Sequence, residues 1–154
     1  MPSYGARSRA ALETAHPDLQ TIGWKVIEVV DHSVIWGHRN EAQQNALFPK
    51  YSQVKWPDSM HNALPSNAID VVPWVPGIGA ITGSPKQISE FVLKYDMSRA
   101  RVEADLWWQY GVLWGAFVSV AFDLGISIRS GADWDSDGST LDTRFVDAGH
   151  IELV

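Results

Sequence analysis

An α+β domain, a small mostly antiparallel sheet packed on several helices including one long central helix, is the fold this sequence predicts, and three observations predict it. Apolar residues recur at helical spacing over one long segment, from about Ser98 to Leu124. Short β-rich runs bounded by Pro and Gly flank that segment and lie far apart in the chain. The composition, 154 residues at 45% hydrophobic and 19% charged, is that of one globular unit able to bury a core without staples. No repeat, linker or low-complexity tract divides the chain, so a single domain spanning 1–154 is expected.

Ser8 to Thr14 reads as a short helix, and Pro17 opens a second that runs to about Val30, with Leu19, Ile22 and Val26 at helical spacing. Ser33 to Trp36 is a β-rich run ended by Gly37, and Asn40 is placed to cap a helix through about Phe48. Lys50 to Asn67 is loop-like. Ala68 to Val72 reads as a strand stopped by Pro73, and a Pro/Gly-rich loop runs on to Gly83. Ser84-Pro85 starts a helix carrying Ile88, Phe91, Val92 and Tyr95 on one side. In the long helix Val102, Leu106, Tyr110, Leu113, Phe117, Val120 and Leu124 form one apolar stripe, and Trp107, Trp114 and Val118 form a second. A helix apolar on more than one side is expected in the middle of a domain, with Trp107, Trp108 and Trp114 in the core. Gly125 ends it, Ile126 to Arg129 is a strand, Ser130 to Asp142 an acidic loop, and Arg144 to Val154 supplies one or two last strands.

Several function classes are excluded at this stage. With no cysteine, disulfide frameworks, thiol nucleophiles and thiolate metal sites are all absent, so a metal must bind through His, Asp, Glu or backbone oxygen. Twelve Lys+Arg against 18 Asp+Glu give a net charge of -6, with no basic block to neutralise phosphates, so no nucleic acid partner is expected. The longest apolar run, Tyr110 to Phe122, is well short of the roughly 20 residues a membrane helix needs, so no membrane insertion is expected. Met1 to Ala15 has no apolar run after Arg7 and Arg9 and is not a secretory signal. The expected product is a monomer made in the cytoplasm, released by another agent if it works outside.

Polar residues stand where strands meet loops in three distant segments: Ser59-Met60-His61 with Ala68-Ile69-Asp70; Asp147-Ala148-Gly149-His150-Ile151-Glu152; and Gly37-His38-Arg39 with Gln44. His61, Asp70 and His150 together would make a two-His, one-carboxylate set that leaves a position on tetrahedral Zn²⁺ open for water. A lone His in a polar loop is more often a surface residue. Asp70 within an apolar strand is harder to dismiss, because a buried carboxylate needs a partner or a metal. His150 and Glu152 alternate onto one face of a strand, so Glu152 is either a partner of His150 or a surface charge. His16, His32 and His38 lie among ordinary polar neighbours and receive no role.

This ordered set, Ser59-x-His61, Ala68-x-Asp70 and Asp147-x-x-His150, resembles the zinc D,D-peptidase family of D-alanyl-D-alanine carboxypeptidases, dipeptidases and phage L-alanyl-D-glutamate endopeptidases. His16-Pro17-Asp18-Leu19, Gly37-x-Arg39 with Gln44, Asp70-Val71-Val72-Pro73 and His150-Ile151-Glu152-Leu153 extend the resemblance from His16 to Leu153, and it is closest to the phage members. It implies Zn²⁺ held by His61, Asp70 and His150, with Asp147 in the general-base position. It also implies that Arg39 stabilises the oxyanion or holds a substrate carboxylate, with Ser59 and Gln44 in support. One departure is visible: eight residues separate His61 from Asp70, with Pro65-Ser66 inside, where the common family form is shorter and carries a Gly.

In the acidic loop, Asp133, Asp135 and Asp137 with Gly138 fit the first half of a calcium loop, but Arg144 stands where the closing Glu should be. Calcium and a solvated acidic turn both remain open there. The favoured function is a zinc peptidase of the endolysin type acting on bacterial peptidoglycan stem peptides between L-Ala and D-Glu. A D-alanyl-D-alanine carboxypeptidase on the same site is the enzymatic alternative. A non-catalytic calcium-dependent wall-binding module using exposed tryptophans, of which the chain has eight, is the alternative from another class.

Overall fold

Each helix begins where the sequence supplies a cap. In the computed structural model, which describes residues 1–154, α1 is Ala6–Leu12 and α2 is Pro17–Val26, whose first turn is capped by the His16 ring accepting from the Asp18 amide. Asn40 and Gln43 form a reciprocal capping box at the start of α3, Glu41–Leu47. Ser84 caps α4, Pro85–Tyr95, and Ser98 caps the long α5, Arg99–Leu124, which Gly125 ends in the left-handed conformation (φ 68°). The strands are β1 (His32–Trp36), β2 (Ala68–Val75), β3 (Gly79–Ala80), β4 (Ile128–Gly131) and β5 (Asp147–Leu153). They pair antiparallel in the order β1-β2-β5-β4, with β3 folded back onto the far end of β2.

The register assigns the two faces of this sheet to different tasks. Val34, Val71, Ile69 and Ile151 share one face and enter the core with Leu12, Leu19, Ile22 and Val26 of α1 and α2 and Leu113, Phe117 and Ala121 of α5. Asp70, His150 and Glu152 point to the opposite face. A second small core joins Ile88 of α4 to Val102 and Leu106 of α5 and to Ile81.

Four local expectations are corrected. Pro73 does not stop β2, which continues to Val75. The β5 ladder on that flank has already ended at Asp70 opposite His150, so the missing amide costs no bond there, and the Pro73 carbonyl accepts from Ile81. The second helix ends at Val26, four residues early. β4 begins at Ile128, two residues later than Ile126, while the final segment supplies one of the one or two strands expected of it.

The fourth correction concerns α5. Val102, Leu106, Leu113 and Phe117 of its first stripe are buried, but Leu124 of that stripe is exposed; of the second, Trp107 is 55% exposed and Val118 41%, while Trp114 is half-buried, and Trp108 is 70% exposed. A helix laid on one apolar sheet face can bury only the side it turns toward that face, so the aromatic side of α5 faces outward.

His32 also differs from its expected polar setting. It is buried, its Nδ1 2.8 Å from the Val30 carbonyl and its Nε2 2.5 Å from the Tyr4 hydroxyl, with the Phe117 ring edge-on at 5.3 Å. Burial lowers its pKa to about 4, against the hydrogen bond to Val30. Because the unfolded chain takes up this proton near pH 6.5 and the folded chain only near 4, stability is lost as pH falls through that window. The loss should reach about 3 kcal/mol and level off below it. Urea denaturation at pH 7, 5.5 and 4 should show that slope, and His32→Gln should flatten it.

Candidate metal centre and catalytic cleft

Antiparallel pairing sets Asp70 on β2 directly opposite His150 on β5, and Asp70 Oδ1 lies 3.1 Å from His150 Nδ1. The third member arrives on a single 3₁₀ turn, Met60–Asn62. Ser59 Oγ accepts from the His61 amide at 3.3 Å, and the Asn62 side chain accepts from the Ser59 amide at 3.1 Å. This turn aims His61 Nε2 to 3.1 Å from Asp70 Oδ1 and 3.2 Å from His150 Nδ1. The longer connection between His61 and Asp70 therefore still returns both side chains to one point.

The outer atoms of the two rings decide what the inner ones present. His61 Nδ1 lies 2.7 Å from the Gly37 carbonyl, which can only accept, so that nitrogen carries the proton and Nε2 turns a lone pair inward. His150 Nε2 lies 2.8 Å from Glu152 Oε2, so by the same logic His150 Nδ1 also offers a lone pair. Two ring nitrogens and a carboxylate oxygen thus converge within 3.2 Å, an arrangement that calls for a cation, either a proton on His150 Nδ1 shared with Asp70 or a metal ion in its place. Both outer nitrogens are held as the rings of metal-binding histidines are commonly held, by a carbonyl and by a carboxylate. The donor set fits a divalent metal with an open coordination position.

Electrostatics agree with this reading. Burial pushes the Asp70 carboxyl up, but His61 and His150 more than reverse that and hold it well below the usual carboxylate range. Burial alone would lower His150, yet hydrogen bonds to Asp70 and Glu152 raise it to about 9, so without a metal a proton neutralises the cluster. Glu152 is buried and braced by Arg129, whose Nε is 2.6 Å from its Oε1. Arg129 Nη1 also donates to the Trp134 carbonyl at 3.0 Å, and the Trp134 ring lies 5.3 Å from that of His150.

Asp147 opens β5 at the rim of the cluster. Its carboxyl is raised, first by burial and then by Asp70, with His150, His61 and Arg39 opposing. Tyr110, whose hydroxyl donates to the Ile81 carbonyl at 2.8 Å, is pushed up to about 12 by burial and by Asp147, which keeps it a neutral phenol. Arg39 is buried with Nη1 3.7 Å from Asp70 Oδ2, and its Nε has no hydrogen-bond partner. Its backbone is locked to the His61 turn, because the Arg39 amide donates to the His61 carbonyl at 2.8 Å and the Asn62 side chain donates to the Arg39 carbonyl at 3.0 Å. Gln44 does not touch the ligands. It is buried beneath them, donating to Ser52 Oγ at 2.8 Å and Val54 O at 2.7 Å, with Asn62 3.4 Å from its own oxygen.

Two depressions meet at Arg39, Tyr51, Asp70 and Asp147. One, of about 670 Å³, runs between Trp36 and Leu106 toward Trp107. The other, of about 450 Å³, is more polar and includes Ser52, Ser59 and Arg129. The acidic loop lies outside this junction. The carboxylates of Asp133, Asp135 and Asp137 cluster there, but Asp133 accepts from the amides of Asp137 and Gly138 at 3.2 and 3.0 Å and Asp137 from that of Ser139 at 2.7 Å, bonds that account for the turn without a cation.

Sequence reasoning assigned no role to Gly37, Asn62, Arg129 or Trp134. Arg129 reaches Glu152 only through the β4–β5 register, for which no local signal exists. Gly37 combines a carbonyl for His61 with a backbone approach so close that an added Cβ would stand 2.2 Å from the Ala11 carbonyl oxygen and 2.4 Å from Thr14 Oγ1. Gly37→Ala should therefore cost about 2–3 kcal/mol in urea denaturation and loosen metal binding through the displaced carbonyl.

Residues 94–154, from the end of α4 through β5, match the family model described as phage L-alanyl-D-glutamate peptidase. The chain is 26% identical over 156 residues to the L-alanyl-D-glutamate peptidase of Escherichia phage T5, covering 98% of this chain and 97% of that protein. In fold it is similar to the crystal structure of the Serratia marcescens L-Ala D-Glu endopeptidase ChiX, with a TM-score of 0.66 and 23% identity over 99% of this chain and 91% of that one. By these matches the chain is similar to phage L-alanyl-D-glutamate peptidases, over residues 94–154 for the family model and over nearly its whole length for the phage T5 protein.

Proposed function

We propose that this chain is a monomeric zinc endopeptidase that hydrolyses the amide between L-Ala and D-Glu in peptidoglycan stem peptides. The observation that carries the reading is the cluster of His61, Asp70 and His150, whose ligand atoms converge on one point with both outer ring nitrogens fixed so that the inner ones can face a metal. Two neutral nitrogens and one carboxylate oxygen suit Zn²⁺, which when bound supplies a Lewis acid and lowers the pKa of water toward about 7.

The remaining work falls to the chain's own side chains. Asp147, its carboxyl raised by burial, takes the proton of the attacking water and returns it to the departing D-Glu nitrogen. Arg39 lines the junction of the two depressions, where its guanidinium can bind the carbonyl oxygen as charge develops or hold the D-Glu carboxylate. Glu152 and the Gly37 carbonyl keep the two rings in the required tautomers.

The cleft extends on both sides of the cluster, which favours an endopeptidase over a carboxypeptidase, whose cleft would close around a chain end. The chain has no helix long and apolar enough to cross a membrane, in keeping with release to the wall through lesions made by another protein. Mass spectrometry of digested peptidoglycan tests the reading. Fragments with a new D-Glu amine and a free L-Ala carboxyl, lost on chelation, are expected. Release of D-Ala alone would move the activity to a carboxypeptidase, and intact stem peptides would overturn it.

A further inference from the structure

Beside the cleft, along the outward side of α5, runs a second groove of about 420 Å³, and its lining is unlike that of the catalytic site. Trp107, Gly111 and Trp114 stand at i, i+4 and i+7 on one side of the helix, and Ser130, Thr140 and Ala148 face them from the sheet side. No charged residue lines it. A Cβ added at Gly111 would meet nothing within 4 Å, so no packing in the chain requires glycine there. A glycine inside a helix is less stable than an alanine there. The groove is continuous with the catalytic cleft, since Trp107, Tyr110, Val146 and Ala148 line both.

We propose that this groove is a glycan subsite, holding the N-acetylated amino sugar to which the stem peptide is attached. The proposal rests on the L-alanyl-D-glutamate reading, and the chemistry of that substrate supplies the argument. The carbonyl under attack belongs to L-Ala, whose own nitrogen is acylated by the lactyl group that is ether-linked to the sugar, so the sugar ring begins within two residue lengths, about 7 Å of chain, of the scissile carbon. Any enzyme cutting this bond in intact wall must house a sugar beside its cleft.

The polar depression with Arg39 and Arg129 suits the D-Glu side, which brings carboxylates. That leaves the L-Ala side to run toward Trp107. A neutral groove of two indoles with the exposed Thr140 hydroxyl opposite complements a pyranose, whose C–H face packs on an aromatic ring while a hydroxyl or acetamido group finds Thr140. The empty space over Gly111 is the clearance a ring needs between the two tryptophans.

The test compares two substrates: the disaccharide-linked stem peptide and the same peptide with a free L-Ala amine. Wild-type enzyme should cleave the glycan-linked form with kcat/KM roughly tenfold or more higher, as remote binding energy is used in turnover. Gly111→Leu fills the groove while favouring the helix, so it should fold. It should remove that preference and leave the free peptide's kcat/KM unchanged, and Trp114→Ala should act in the same direction. Equal rates on the two substrates in wild type, or equal losses on both in Gly111→Leu, would overturn the subsite. Cleavage of neither substrate by wild type would instead overturn the peptidase reading on which it rests.

Discussion

Asp147→Asn should keep its zinc and its fold and lose turnover by about 10²–10⁴-fold, the range expected when a positioned general base is removed. The substitution preserves shape and removes only the ability to accept a proton, which isolates the role assigned to this carboxyl. In the wild type, burial and Asp70 raise the Asp147 carboxyl above its ordinary range. Activity should therefore fall as pH drops through that elevated value, and the residual rate of the variant should lose this acid limb. Metal content by atomic spectroscopy alongside kcat against pH checks both statements. An Asp147→Asn enzyme with near wild-type kcat and bound zinc would remove Asp147 from the chemistry.

Loss of the metal should have a still larger effect. His61→Ala takes away one of three protein ligands, and at about 3–4 kcal/mol per ligand zinc affinity should fall on the order of 10² to 10³-fold. Chelated wild type should regain cleavage on adding zinc, while the variant should not at the same zinc concentration. The three proposed ligands come from a 3₁₀ turn and two strands, so a bound metal would also tie these elements together. Zinc at about 100 times its Kd should add about 2.7 kcal/mol to folding, seen as a rise in Tm absent from the variant. An unchanged Tm with full activity after exhaustive chelation would rule out the metal reading.

How far the sequence reaches is clearest at particular residues. The Asn40 cap, the Ser84-Pro85 start and the Gly125 stop are legible in the sequence, because capping is local chemistry. The alternation that puts His150 and Glu152 on one face was visible too, whereas the placement of Asp70 opposite His150 depends on a pairing between segments 80 residues apart. Periodicity marks which residues of α5 are apolar but not whether one layer or two will cover them, which is why Trp107 and Trp108 were assigned to the core and stand in solvent. Pro73 looked like a stop because a proline's cost depends on which flank of its strand is still paired, a fact that belongs to the sheet and not to the residue.

The place of β5 between β2 and β4 carries a consequence for when the enzyme can act. This strand follows every other element in the chain, yet it occupies an interior position in the sheet and brings both His150 and Asp147. A nascent chain still lacking β5 would hold His61 and Asp70 without their partner and would expose two unpaired strand edges. Catalytic competence is thus tied to strand insertion: until β5 has docked between β2 and β4, the proposed hydrolytic centre lacks both His150 and Asp147.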